Sequence, residues 1–298
     1  MVGRSFLTDE ALARRGYMRP EMTRRREVLR ETLDTFARVE PRDRFHRLAD
    51  ENLARWRSEA PRPSRTSLEV RVIPGDWGEV TAALTREHGE RFAVLNMANA
   101  FVPGGAYVEG TAAQEENMFR RTDCHFHVTD DLYDAATDRY RPHATALLSA
   151  RDGRVFLDMR SPRVCLRGAE DLSREDLGYR WLPDDELFSF FELRAAAEDL
   201  RGGRTFDERE AARRIGAQLD TLRDAGVRHA VLSAFGCGAF HNPADRVAVL
   251  YRDALAARRE HFTLIAFAIF APGYGPDNHA PFAAVFAQAT DASGTLVP

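Results

Sequence analysis

The sequence predicts an α/β protein, a mixed β-sheet sandwiched between helices and preceded by an N-terminal helical extension. Three observations lead there. Strand-like and helix-like segments alternate from residue 68 onward. Two runs, HAVLSAFGCG at 229–238 and FTLIAFAIF at 262–270, are almost continuously apolar, as strands buried on both faces are. The composition of the 298 residues, 44% hydrophobic and 30% charged, suits a soluble chain with a sizeable core and excludes collagen-like or disordered classes.

Taken in order, residues 20–58 are rich in charged helix formers, and Met22, Val28, Leu29, Thr32, Leu33 and Phe36 follow helical spacing. The stretch PRPSRTS at 61–67 breaks the pattern with two prolines. Residues 1–60 are therefore expected as the extension and 61–298 as the main domain. LEVRVI (68–73) reads as a strand and 77–89 as a helix stopped by Gly89. A strand at 91–99 runs into a glycine-bearing loop, and 114–122 reads as a short helix. Two strands are expected at 153–159 and 162–168, a long amphipathic helix at 206–226, and a helix at 243–260 with Pro243 in its first turn. The apolar strands near 230 and 265 should lie inside the sheet.

The formal net charge is -4, and all 42 basic residues are Arg, which reads as coding bias. Without a strongly basic field, sequence-specific nucleic-acid binding is not expected. Cys124, Cys165 and Cys237 are far apart with no CxxC, which argues against a zinc ribbon or disulfide framework. The N-terminus lacks an apolar signal core, and no apolar run reaches the ~18–20 residues of a membrane span. A cytoplasmic protein with no membrane partner is expected.

Two glycine-bearing loops follow apolar strands, NMANAFVPGGAYVEGTAAQEE at 96–116 and AFGCGAFHNP at 234–243. Ligands of α/β sheets bind at the carboxyl ends of strands. Glycine lets the backbone approach a ligand and present N–H groups, and the helix starts at Gln114 and Pro243 favour an anion. Two such loops can hold a diphosphate from both sides without a basic side chain. Glu115 and Glu116 open the short helix and point about 100° apart, so they cannot share one task. One can hold sugar hydroxyls while the other faces a scissile bond. A carboxyl near a diphosphate should have a raised pKa and can serve as a general acid. On their own, such features also describe tight turns and a stabilised helix start.

The stretch LNMANAFVPGGAYVEGTAAQEENMFRR resembles the signature of the poly(ADP-ribose) glycohydrolases (PARG), especially the microbial type, whose fold is a macrodomain. The parts are Pro103-Gly104-Gly105-Ala106, a spacer at 107–113, and Gln114-Glu115-Glu116. SAFGCGAFHNP is similar to the family's second phosphate loop, FAIF to its next strand and TRRREVLRETLDTF to its N-terminal helix. The resemblance implies that Glu116 is the catalytic acid/base and Glu115 the holder of the distal ribose hydroxyls. It implies that Asn99 contacts that ribose and that Gly104, Gly105 and Ala106 line ribose and diphosphate. Gln114 belongs to the same ligand-binding set. Gly236, Cys237, Gly238 and Ala239 would form the opposite phosphate wall, with Phe240 packing on ribose. Val72, Asp76 and Phe282 are candidates for the adenine pocket. The implied reaction is hydrolysis of the O-glycosidic bond at C1 of ribose in poly- or mono(ADP-ribosyl)ated substrates, with no metal and no cofactor.

One position departs from the family: its third glycine is Ala106. If that position needs positive φ, alanine distorts the loop; if φ is negative, it adds only a methyl. A non-catalytic ADP-ribose reader is the alternative, with Ala106 as its support and the Glu pair against it. A regulator docking through its N-terminal helices would expose an apolar stripe within residues 1–60. His125 and His127 alternate as on a strand but are too few for a catalytic zinc. The cluster of Phe188, Phe190, Phe191 and Leu193 reads as core, and Arg24-Arg25-Arg26 and Arg213-Arg214 as solvated helix faces. Cys237 reads as loop packing and the tail DASGTLVP as mobile.

Overall fold

A computed structural model describes residues 3–37, 39–60, 67–271, 273, 275–291 and 294–296. In chain order the helices are α1 (Asp9–Arg14), α2 (Pro20–Ala37), α3 (Val39–Glu59), α4 (Trp77–His88), α5 (Gln114–Arg121), α6 (Pro142–Leu148), α7 (Glu208–Asp224), α8 (Ala244–Ala256) and α9 (His279–Ala289). The strands are β1 (Glu69–Pro74), β2 (Ala93–Met97), β3 (Tyr133–Asp134), β4 (Arg139–Tyr140), β5 (Phe156–Cys165), β6 (Phe188–Ala195), β7 (His229–Leu232) and β8 (Leu264–Ile269). The PRPSRTS break lies outside the described residues except for Ser67.

Six strands form one sheet in the order β1-β8-β7-β2-β6-β5, parallel except for β5, which runs antiparallel to β6. The expected mixed sheet between helices is thus observed, with β7 and β8 interior. Period-two alternation explains the layers. Leu95, Leu193, Leu232, Ile265 and Phe267 face one apolar cluster with Leu219 and Leu222 of α7, Tyr251 of α8 and Phe282 and Phe286 of α9. Val94, Phe190, Val231, Leu264 and Ala266 face the other, with Leu29, Leu33, Trp56, Trp77, Leu84 and Phe119 from α2, α3, α4 and α5. The N-terminal helices therefore form part of the second layer. Asp76 caps α4, accepting from Gly78 and Glu79 N–H at 2.9 and 3.2 Å, and Gly89 closes it at φ 61°.

Several expectations are corrected. The two strands at 153–159 and 162–168 are one strand, β5, with a register shift between Asp158 and Arg163. Asp158 accepts from the N–H groups of Arg160 and Ser161 there, which folds the irregularity. The phenylalanine cluster is core, and it belongs to the interior strand β6. Arg25 and Arg26 are buried rather than solvated: Arg25 pairs with Glu170 at 2.5 Å, and Arg26 donates to Tyr17 O and Glu109 O. Arg214 is half-buried and donates to Ala196 O at 2.6 Å. The apolar stripe of α2 is covered, which removes the support for a docking arm. Of the tail, Asp291 and Gly294–Leu296 are described: Leu296 N–H donates to Leu68 O at 3.0 Å, Gly294 O accepts from Val70 N–H at 2.9 Å, and the Leu296 side chain is buried. No helix among the described residues is long and apolar enough to cross a membrane.

Candidate active site

β2 and β7 are parallel neighbours, so the loops leaving their C-terminal ends, 98–113 and 233–243, emerge side by side. The end of β6 ties both. Ala195 O accepts from Ala98 N–H at 2.9 Å, and a Cβ on Gly236 would lie 2.5 Å from the Ala197 methyl.

In the first loop, Gly104 and Gly105 have φ of 71° and 57°, the left-handed region that disfavours side chains. This turns the N–H groups of Gly104 and Ala106 toward the start of α5, while that of Gly105 donates to Val102 O. Glu115 accepts from Asn99 N–H (2.7 Å) on Oε2 and from Gly104 N–H (3.1 Å) on Oε1. Glu116 accepts from Ala106 N–H (3.0 Å) on Oε1, with the Thr111 hydroxyl 3.3 Å away. Its Oε2 takes no hydrogen bond among the described residues. The two carboxyls thus divide the loop, as their angular separation on a helix requires. A Cβ on Gly105 would lie 2.5 Å from Glu116 Oε1.

Ala106 is absent from the non-glycine residues of positive φ among the described residues, so its methyl adds bulk without backbone strain. The Gln114 side chain accepts from Met97 N–H and donates to Leu95 O, so both its polar ends are spent prolonging β2. Asn99 Oδ1 accepts from the N–H groups of Phe101 and Val102 and shapes the loop entrance.

In the second loop, Gly236 has φ 76°, and the Asn242 amide, donating to Gly236 O and Glu198 O, braces it. Gly238 and Ala239 are exposed, and nothing lies within 4 Å of a Cβ placed on Gly238. Cys237 is buried and its thiol is pushed up by desolvation, which is the packing role expected of it. Phe240 is half-buried under the Arg201 guanidinium, 5.2 Å from the ring centre. Arg201, in the segment between β6 and α7, also lies within the field of the Glu116 carboxylate.

Burial, then the neighbouring charge of Glu116, pushes the Glu115 carboxyl well above the usual carboxylate range; the Asn99 N–H opposes this. Beneath Glu115 lies a buried polar cluster: Glu192 accepts from Arg194 (2.6 Å), Arg163 (2.8 Å) and Asn96 (2.8 Å). The two guanidiniums outweigh burial and lower Glu192 to about 2.

The remaining candidates have the following surroundings. Asp76 is committed to capping α4 and to Arg121 at 2.7 Å, and Phe282 is fully buried between Tyr251 and Phe267. Val72 is half-buried in β1. His125 and His127 sit in a 3-10 turn rather than a strand, and they diverge. His125 pairs with the Tyr107 hydroxyl at 2.7 Å, and His127 with Asp123, which also meets His46. Sequence reading missed Thr111, Arg201 and the exposed Phe270, which follows β8 at the same end of the sheet. Only Phe270 carried a signal, as an aromatic at the end of an apolar strand.

Residues 11–151 match the family profile of the microbial-type PARG catalytic domain. The fold is similar to that of poly(ADP-ribose) glycohydrolase from Thermomonospora curvata, with 23% identity and TM-score 0.59 over 88% of this chain and 99% of that one. The same enzyme bound to the inhibitor ADP-HPD gives 22% and 0.58, again over 88% and 99%. The glycohydrolase from Deinococcus radiodurans in complex with ADP-ribose gives 22% and 0.53 over 83% of this chain and 92% of that one. No curated protein matches the chain.

Proposed function

We propose, from the microbial-type PARG catalytic domain that residues 11–151 carry, that this chain hydrolyses O-glycosidic ribose bonds of ADP-ribosylated substrates. The family is one of glycosidases, so the chain is read as a hydrolase. The ligand is ADP-ribose as the end of a polymer or as a single unit on a protein. Its diphosphate would lie between Gly104–Ala106 and Gly236–Ala239, with Phe240 against ribose, Asn99 and Glu115 toward the distal ribose, and Gln114 holding the loop base.

The carrying observation is the asymmetry of the two carboxyls. Glu115 spends an oxygen on each of two backbone N–H groups, whereas Glu116 has one oxygen anchored and one free. Glu116 would protonate the departing oxygen as the C1–O bond breaks, the bonding pair leaving with that oxygen. The ribose becomes oxocarbenium-like. Water then attacks C1 and gives its proton to Glu116, which restores the acid. Neighbouring residues cannot flank the bond from opposite sides as paired glycosidase carboxyls do, so one carboxyl serves both steps. The scheme uses no metal and no cofactor.

A non-catalytic reader would share the loops. Its support is Ala106 in place of the family's third glycine; the backbone there has no positive φ, so what remains of that support is the added methyl. The test is release of ADP-ribose from poly- and mono(ADP-ribosyl)ated protein, compared with Glu116→Gln. The variant should bind ADP-ribose as the parent does and lose about 100- to 10,000-fold in turnover. Equal turnover would exclude Glu116 as the acid, and absence of ADP-ribose binding by the parent at millimolar ligand would exclude enzyme and reader alike.

A further inference from the structure

The N-terminal segment reaches the first loop from the side opposite Glu116. Arg4 is buried, and all five N–H donors of its guanidinium are engaged. Nε and one Nη2 proton bind the two oxygens of Asp138, both at 2.8 Å. The other Nη2 proton goes to Glu109 Oε1 at 2.9 Å. Nη1 donates to Glu109 Oε2 at 3.3 Å and to the carbonyl oxygen of Gly105 at 2.5 Å. That carbonyl belongs to the same peptide group whose N–H, on Ala106, donates to Glu116 at 3.0 Å. One planar unit is thus gripped at its oxygen by a cation and at its nitrogen by the candidate acid.

The flanking glycine makes this grip consequential. Gly105 lacks the Cβ that would restrain rotation of the peptide, and its left-handed φ is accessible at little cost. A turn of the Gly105–Ala106 peptide would point a carbonyl at Glu116 in place of an N–H. Arg4 opposes it with a charge-assisted bond, and charge on one end of an amide strengthens the hydrogen bond at the other. Glu109 and Asp138 fix the fork in turn, and Arg26, donating to Glu109 O at 3.0 Å, holds the loop from α2. Met22 O lies 2.2 Å from where a Cβ on Gly110 would be, so α2 touches the loop backbone directly.

We propose that Arg4 is a positioning residue for Glu116, acting through the Gly105–Ala106 peptide. This rests on the proposed hydrolysis. The parent protein is assayed first, and absence of turnover there overturns both readings. With turnover established, Arg4→Met is expected to lower kcat about 100-fold, the loss typical of an approximately 1 Å displacement of a reacting group, with KM changed little. Arg4→Lys keeps the charge without the fork, and its kcat should fall between the two. Arg25→Met breaks a comparable buried ion pair of the N-terminal region away from the loop, and it should leave kcat close to that of the parent at a similar loss of thermal stability. Unchanged kcat in either Arg4 variant, or an equal kcat loss in Arg25→Met, would overturn the inference while leaving the proposed hydrolysis standing. If Arg4→Met does not fold, Arg4→Lys decides on the same criterion.

Discussion

At the scale of single residues, the loops are governed by where a methyl fits. Gly105 combines positive φ with a Cβ position 2.5 Å from Glu116 Oε1. Gly105→Ala should cost about 1–2 kcal/mol in backbone conformation and displace the carboxyl, lowering turnover more than ADP-ribose binding. The neighbouring Ala106 lacks this constraint, so Ala106→Gly should leave thermal stability within about 1 kcal/mol, the entropic difference between the two residues. Turnover of polymer and of single units by that variant measures what the methyl does to the ribose site. Cys237 is buried and its thiol shifted away from ionisation. Native protein at pH 8 should therefore resist alkylation there, and denaturation should expose it, as peptide mapping can follow.

At the scale of elements, two assemblies hold the site in place. The first is the α2–α3 layer. Trp56 packs between Arg55 and Arg86 and joins the cluster beneath β2 and β8. Trp56→Ala should cost about 3–5 kcal/mol, read from denaturant unfolding. We propose that residues 9–59 fold as part of the same unit as the sheet, so a chain beginning at residue 61 should not reach the native fold by near-UV circular dichroism. The second assembly is the pairing of β5 and β6 around Glu192. Glu192→Gln leaves the guanidiniums of Arg163 and Arg194 buried with diminished compensation and should destabilise by about 3–5 kcal/mol.

At the scale of the whole molecule, the shifted groups predict acid lability. Glu192 titrates near 2 in the fold, and Asp123, beside His127 and His46, is also held low. A depressed carboxyl contributes stability that is present above its unfolded pKa and lost as pH falls toward the folded one. His125 and His229 are lowered to about 4 by burial, so the unfolded chain binds protons first, and folding weakens from about pH 6.5 down to 4. Glu115, raised, acts in the opposite sense. Its proton is lost as pH rises through the folded pKa, and that ionisation costs stability. From pH 7 to pH 4 the two histidines oppose Glu115, and below about pH 4 Glu192 and Asp123 add their loss, so the melting temperature should fall between pH 7 and pH 3, most steeply at the acid end, measurable by calorimetry. A flat profile across that range would contradict these burial assignments.

The alternation of elements, the two apolar strands and both glycine-bearing loops were legible in the sequence, because period, glycine placement and helix stops act locally. So was the Gln114-Glu115-Glu116 run, whose helical angle separates the two carboxyls. The interior strand β6 was not legible: Glu192 and Arg194 stand where a buried strand is expected to be apolar, and only their partners Arg163 and Asn96, far off in the chain, make them compatible with the core. The buried state of Arg4 and Arg26 was hidden for the same reason, since an arginine looks solvated until the carboxylate or carbonyl it meets is known. The sequence by itself determined which segments become strands and helices and where the backbone can turn back on a ligand. Tertiary structure alone decided which charges are buried, which carboxyl oxygen is free and what grips the loop from behind. Arg4 meets Gly105 and Asp138 across more than a hundred positions, Glu192 meets Asn96 across 96 and Arg26 meets Glu109 across 83, and no local pattern encodes such contacts.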